Sequence, residues 1–200
     1  MARRSLILAG GVLALALQTP AAESTWRTAP LPPEAAKLNQ EAEATSDPAA
    51  AMALYVQAIR ACPSNAPALF GLGRSLLAQN RPADSLKVLR RLEMLHPDDP
   101  AILTALAAAS ARLPTPRRAD IAMGLAWAER AGKLAPDSAM AAHLLSVLRH
   151  LNGDYAAAAE AARQALALDT QNPSDSETTA IYQQQETACN DALSVFSPLD

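Results

Sequence analysis

The stretch PSNAPALFGLGRSLLAQNRPADSLKVLRRLEMLHP, residues 63–97, decides the fold. It opens and closes on proline, Pro63 and Pro97, 34 residues apart, and the same interval separates Leu38, Leu72 and Leu106. Between the prolines, Leu69, Leu72, Gly73 and Leu76 share the inward face of one helix, Asn80-Arg81-Pro82 makes a turn, and Leu89 and Leu92 lie on a second helix. A helical hairpin of this size buries its apolar faces only by stacking on copies of itself. The recurrence therefore predicts an open, curved helical array rather than a closed globule.

The plan extends in both directions. Upstream, the pattern predicts a helix from Pro33 to Thr45, an N-cap at Asp47 with Pro48 at the first helical position, and a second helix with Ala51, Tyr55 and Ala58 on one face. Asn65 or Ser64 caps the next helix. Downstream, Asp99-Pro100 starts a third unit in phase and Leu106 keeps register, but Ala131 and Pro136 fall five residues late. The extra length lies in Leu113-Pro114-Thr115-Pro116-Arg117-Arg118, between the two helices of that unit. Ala131 to Ala165 restores the interval, and Asn152-Gly153-Asp154-Tyr155 followed by Ala158 supplies the turn and second helix of a fourth unit.

These residues resemble the tetratricopeptide repeat family, whose pattern sets Leu-Gly in the first helix, Ala, an aromatic and Ala in the second, and a closing proline. Leu72-Gly73 and Pro97 match in the second unit, and Ala51, Tyr55, Ala58 and Pro63 in the first, whereas Ser85 stands where alanine is usual. The resemblance spans about Pro32 to Asn172. It implies an all-α tetratricopeptide-repeat solenoid of about four helical hairpins (32–65, 66–99, 100–138 and 139–172), completed by a C-terminal capping helix and tail over 173–200.

An array of this kind exposes an apolar edge at its end unless something covers it. Ser174-Asp175-Ser176-Glu177 reads as a capping box, and Ile181, Ala188, Ala192 and Val195 fall near one helical face. Residues 175–196 are thus expected to form the lid, with Gln183 to Gln185 towards solvent or along its side.

The N-terminus carries a different signal. Two arginines, an apolar run from Leu6 to Leu17 and the small-residue stretch Gln18-Thr19-Pro20-Ala21-Ala22 have the form of a secretory signal peptide over residues 1–22, with an uncleaved anchor as the alternative. Residues 23–31 read as a flexible lead. Removal of Arg3 and Arg4 takes the formal charge from −3 to −5, and no basic run exceeds the pairs Arg90-Arg91 and Arg117-Arg118. Nucleic acid is excluded as a class of partner on that charge pattern, and no membrane insertion is expected after cleavage. The location expected is periplasmic or secreted.

Chemistry is sparse. His143 and His150 lie seven apart on one helix, too far for the usual metal-ligating pair, and no further ligands accompany them, so no metal or cofactor is expected. Gly71-Leu72-Gly73 sits inside a helix with no strand before it, unlike a phosphate loop. Asp98-Asp99 suits a helix cap better than an acid/base pair. Cys62 ends the first unit and Cys189 belongs to the last helix, a separation that predicts two thiols, with Cys62 buried.

The resemblance implies protein or peptide binding on the concave face, at positions that correspond here to Gln40, Glu43, Phe70, Arg74, Thr104, Arg112, Met140, His143, Val147 and His150. The Lys and Asn set with which some family members hold a C-terminal carboxylate is absent. Arg74 and Arg112 can still pair with carboxylates of an extended peptide, with Phe70 and Met140 giving apolar contact. The expected function is a non-catalytic interaction scaffold or adaptor in the bacterial cell envelope. The alternative is an accessory subunit of an envelope enzyme or maturation complex.

Overall fold

The computed structural model describes residues 24–196. The signal segment expected over residues 1–22 lies outside them. After a single 3-10 turn at Thr25–Arg27, the described residues form nine helices and no strand: α1 (Pro33–Ala44), α2 (Pro48–Ala61), α3 (Ala66–Ala78), α4 (Pro82–Leu95), α5 (Pro100–Ala111), α6 (Arg118–Leu134), α7 (Ala139–Asn152), α8 (Tyr155–Gln171) and α9 (Ser176–Phe196).

Helix starts follow from short polar side chains and prolines. Asp47 accepts from the Ala49 amide at 2.9 Å, Asn65 from Ala68 at 3.1 Å, Asp99 from Ala101 and Ile102 at 3.0 and 3.1 Å, and Ser138 from Ala141 at 3.2 Å. Each cap satisfies amides that have no partner inside the first turn, an effect of about 1 kcal/mol apiece. Pro33, Pro48, Pro82 and Pro100 begin their helices, where the missing N–H costs nothing. Gly153 ends α7 with φ of 86°, a left-handed conformation that favours glycine.

Successive helices pack as antiparallel neighbours, giving the hairpins α1/α2, α3/α4, α5/α6 and α7/α8. The first helices of successive hairpins also touch: α3 meets α5, α5 meets α7, and α7 meets α9, with no comparable contact among α2, α4, α6 and α8. The array therefore bends with its first helices on the inside. Alanine makes that approach possible: every residue of α5 after Pro100 is buried, including Ala101, Ala105, Ala107, Ala108, Ala109 and Ala111. Leu89, Leu92, Leu103, Leu106 and Leu148 fill the continuous core around it. Each such leucine stabilises the fold by roughly 1.5–3 kcal/mol.

Hairpins are joined by recurring polar links. Asn39 of α1 and Asn65 exchange amide hydrogen bonds at 3.1 and 3.2 Å, both buried. Arg91 donates to the carbonyl of Pro63, and Arg130 donates to that of Pro97 at 2.7 Å, so the closing proline of one unit is held by an arginine of the next. Trp127 donates from its indole to Glu93 at 2.8 Å across the same junction. Ser85 keeps the packing tight, because its hydroxyl donates to the Gly73 carbonyl at 2.8 Å while a Cβ on Gly73 would lie 2.6 Å from Leu89 Cδ2.

Several expectations need correction. The N-terminal lead is not loose throughout: Trp26 is 2% exposed. The cap of α9 is Asp175, which accepts from the Thr178 amide at 2.9 Å, and Ser174 instead donates its amide to Asp169 at 3.0 Å. The lid helix does form, but its inward residues are Thr178, Tyr182, Gln185 and Cys189, a face rotated away from the one read in the sequence. Val195 is 71% exposed and Gln185 is buried, the reverse of expectation. Cys62 is half-buried rather than buried; Cys189 is buried, and both are free thiols.

Candidate interaction face

The inner helices present their side chains very unevenly. Gln40 and Glu43 of α1 are exposed. On α3, Arg74 is half-buried, and burial lowers its pKa; Tyr55 and Glu43 support its charge while Arg27 opposes it. Phe70 is covered, with the Trp26 ring centroid 5.2 Å from its own. On α5, Thr104 is buried and its hydroxyl donates to the Pro100 carbonyl at 2.7 Å. Arg112, at the far end of the same helix, is half-buried, burial lowers its pKa, and its buried Nη1 has no hydrogen-bond partner among the described residues.

The α7 positions lie under the lid. Met140 and Val147 are core residues. His143 is 1% exposed, its ring centroid is 4.9 Å from that of Tyr182, and burial pushes its pKa down to about 4. Neither ring nitrogen finds a partner among the described residues. His150 is half-buried against Tyr155, with its Nδ1 3.6 Å from Cys189 Sγ, and burial lowers its pKa too. Around Cys189, Ser146 Oγ stands at 3.5 Å and Gln185 Nε2 at 3.3 Å, while burial raises the pKa of the thiol. This is a packed polar seam between α7 and α9 in which burial disfavours the thiolate form of Cys189.

The ten expected residues thus do not make one open strip. Gln40, Glu43 and Arg74 gather towards the first hairpin, Arg112 stands apart, His150 is half-buried at the α7–α9 seam, and Phe70, Thr104, Met140, His143 and Val147 are covered. The family resemblance placed these positions on the inner helices but could not show how closely alanine would draw those helices together, or that α9 would cover α7.

What the pattern missed is the docking of Trp26 onto the core. The indole N–H donates to Asp99 Oδ2 at 2.8 Å, the His96 ring lies 6.4 Å away between centroids, and the Arg27 guanidinium sits 4.4 Å from the Trp26 ring and 5.0 Å from that of Phe70. A single tryptophan beside arginine in a proline-containing lead is the one sequence signal that pointed there. Elsewhere, a cleft of about 450 Å³ opens between α6, α7 and α8, with Glu129, Lys133, Arg149 and Gln164 among its walls. None of the expected residues lines it.

Stacked helical hairpins with their first helices on the inside define a helical-repeat solenoid. Residues 42–109 match the family model described as tetratricopeptide repeat. The chain is similar to a crystal structure of MamA protein (14% identity, TM-score 0.60, covering 83% of this chain and 95% of that one). It is also similar to MamA 41-end from Desulfovibrio magneticus RS-1 (16%, 0.59, 83% and 94%). TTC0263, a thermophilic TPR protein in Thermus thermophilus, gives 21%, 0.59, 83% and 91%. At such identities the likeness is one of fold. No curated protein matches the sequence. Residues 42–109 thus match tetratricopeptide repeats, and the described residues share the fold of the helical-repeat structures they resemble.

Proposed function

We propose that the protein is a non-catalytic adaptor of the bacterial cell envelope that holds a protein or peptide segment against its inner helices. The N-terminal residues 1–22 support export and a periplasmic location. No described helix is long and apolar enough to cross a membrane.

The observation that carries the binding role is Arg112. Its guanidinium is half-buried at the end of an inner helix with no carboxylate pairing it among the described residues, and the part left exposed is suited to a carboxylate or carbonyl of a bound segment. Arg74 supplies a second cation on an inner helix.

Photocrosslinkers placed at positions 40, 74 and 112 in the native compartment test this reading. Adducts to one partner are expected from these sites, and Arg112→Ala should reduce capture without loss of helical signal. Adducts only from the outer side, for instance from position 133, would overturn it.

A further inference from the structure

The closing proline of a hairpin is held in one way at two junctions and in another at the third. Arg91 donates to the Pro63 carbonyl and Arg130 to the Pro97 carbonyl, and Arg130 also pairs with Asp98 at 3.0 Å and with Glu93 at 3.4 Å. Pro136 closes the next hairpin, and the residue that follows it by the 28 positions separating Arg91 from Pro63 is Gln164. Unlike Pro63 and Pro97, Pro136 accepts no side-chain hydrogen bond among the described residues. The cleft of about 450 Å³ opens at this place, with Pro136 and Gln164 both on its walls.

Its other walls depart from the preceding junction in a consistent sense. Counted back from the closing prolines, Ala128, Glu129 and Gly132 hold the places of Leu89, Arg90 and Glu93. Counted on from the caps at Asp99 and Ser138, Ala141 and Ala142 hold those of Ile102 and Leu103. Small residues thus stand where large ones fill the second junction, and a Cβ on Gly132 would have nothing within 4 Å. Charge changes with volume: Glu129 puts a carboxylate where Arg90 puts a cation, and Asp137 keeps the place of Asp98.

We propose that this cleft takes an arginine side chain carried by a partner polypeptide, its guanidinium donating to the Pro136 carbonyl, its charge balanced by Glu129 and Asp137, and its methylene stem lying on the alanines of the wall. The partner then supplies at the third junction what Arg91 and Arg130 supply from within at the first two. A planar guanidinium can serve a carbonyl and a carboxylate together, and its stem covers apolar surface.

Lys133 and Arg149 also border the cleft. They disfavour a bare cation but suit main-chain carbonyls, as Arg149 shows by donating to that of Ala157 at 3.3 Å, and so the arginine belongs to a polypeptide. A carboxylate ligand would meet these two cations, but it would also meet Glu129 and leave the Pro136 carbonyl without a donor. None of the inner-helix positions assigned to the adaptor role lines this cleft, so it is a second, separate contact surface.

The test uses the ¹⁵N-labelled chain and four probes: a terminally blocked Ala-Arg-Ala peptide, its lysine and glutamate counterparts, and methylguanidinium. The arginine peptide is expected to move the amide resonances of Gly132, Asp137 and Ser138 saturably, with a Kd of about 1 mM for one side chain. The other three should bind at least about ten-fold more weakly. Residues 129 and 164 are both exposed, so substitutions there leave folding intact. Gln164→Arg fills the cleft from within; it should abolish the response and raise Tm by about 2–4 °C. Glu129→Arg should weaken the arginine peptide at least about ten-fold with no gain in Tm.

No movement of those amides, an equal response to the lysine peptide or to methylguanidinium, a stronger one to the glutamate peptide, or an unaltered response in Gln164→Arg overturns the proposal. A dimer in sedimentation velocity that Gln164→Arg disperses would give the cleft to a second copy and overturn the partner assignment. Loss of the crosslinks from positions 40, 74 and 112 removes the adaptor reading alone, because the tripeptide response does not depend on them.

Discussion

Asn65 shows how much one side chain can join. Its amide oxygen caps α3 while its amide group exchanges hydrogen bonds with Asn39. Asn65→Ala removes the cap and leaves a buried amide on Asn39 without a partner. A loss of roughly 2–3 kcal/mol is expected from urea unfolding, more than a surface cap would cost.

His143 is the residue most sensitive to acid. The unfolded chain takes up its proton near pH 6.5, but burial holds the folded-state pKa at about 4. Its contribution is complete above pH 6.5 and is lost as pH falls towards 4, by an amount on the order of 3 kcal/mol. Unfolding free energies measured between pH 7 and 4 should fall more steeply for the native chain than for His143→Leu. Parallel slopes would contradict the burial argument.

At the scale of elements, α6 offers an internal comparison. A Cβ on Gly124 would lie 2.8 Å from Ser110 Cβ and 2.8 Å from Leu148 Cδ2, whereas Gly132 has nothing within 4 Å. Gly132→Ala should stabilise by up to about 1 kcal/mol through helix propensity. Gly124→Ala should destabilise by about 1 kcal/mol, because overpacking of a three-helix junction outweighs the same propensity gain. Chemical denaturation of the two variants reads both signs.

Elements were also where the sequence spoke most clearly. The 34-residue spacing located the hairpins, and Asp47, Asn65 and Asp99 marked helix starts that the structure bears out. The inserted turn after Leu113 separates α5 from α6 as the late Ala131 implied. The face of α9 was misread because periodicity of apolar residues was followed, while the buried stripe is largely polar: Thr178, Gln185 and Cys189 face a seam that includes Ser146. Trp26 was missed because a lone side chain docking on distant helices leaves no period.

For the whole molecule, α8 and α9 are tied by one buried carboxylate. Asp169 accepts from the Ser174 amide at 3.0 Å and from Thr179 Oγ1 at 2.6 Å. Burial works against its charge, but these hydrogen bonds outweigh burial and hold the carboxyl below its ordinary range. Stability should nevertheless be graded along the array, since each hairpin leans mainly on its neighbours. Native-state hydrogen exchange is expected to find the slowest amides in α5 and the fastest helical ones in α1 and α9. Uniform protection throughout would show a single cooperative unit instead.

A rod walled in on every side cannot slide or tilt without colliding with its surroundings. With α5 so enclosed, the pitch of the superhelix is fixed at its middle, and any reshaping around a visitor has to be supplied by the outermost turns of the spiral.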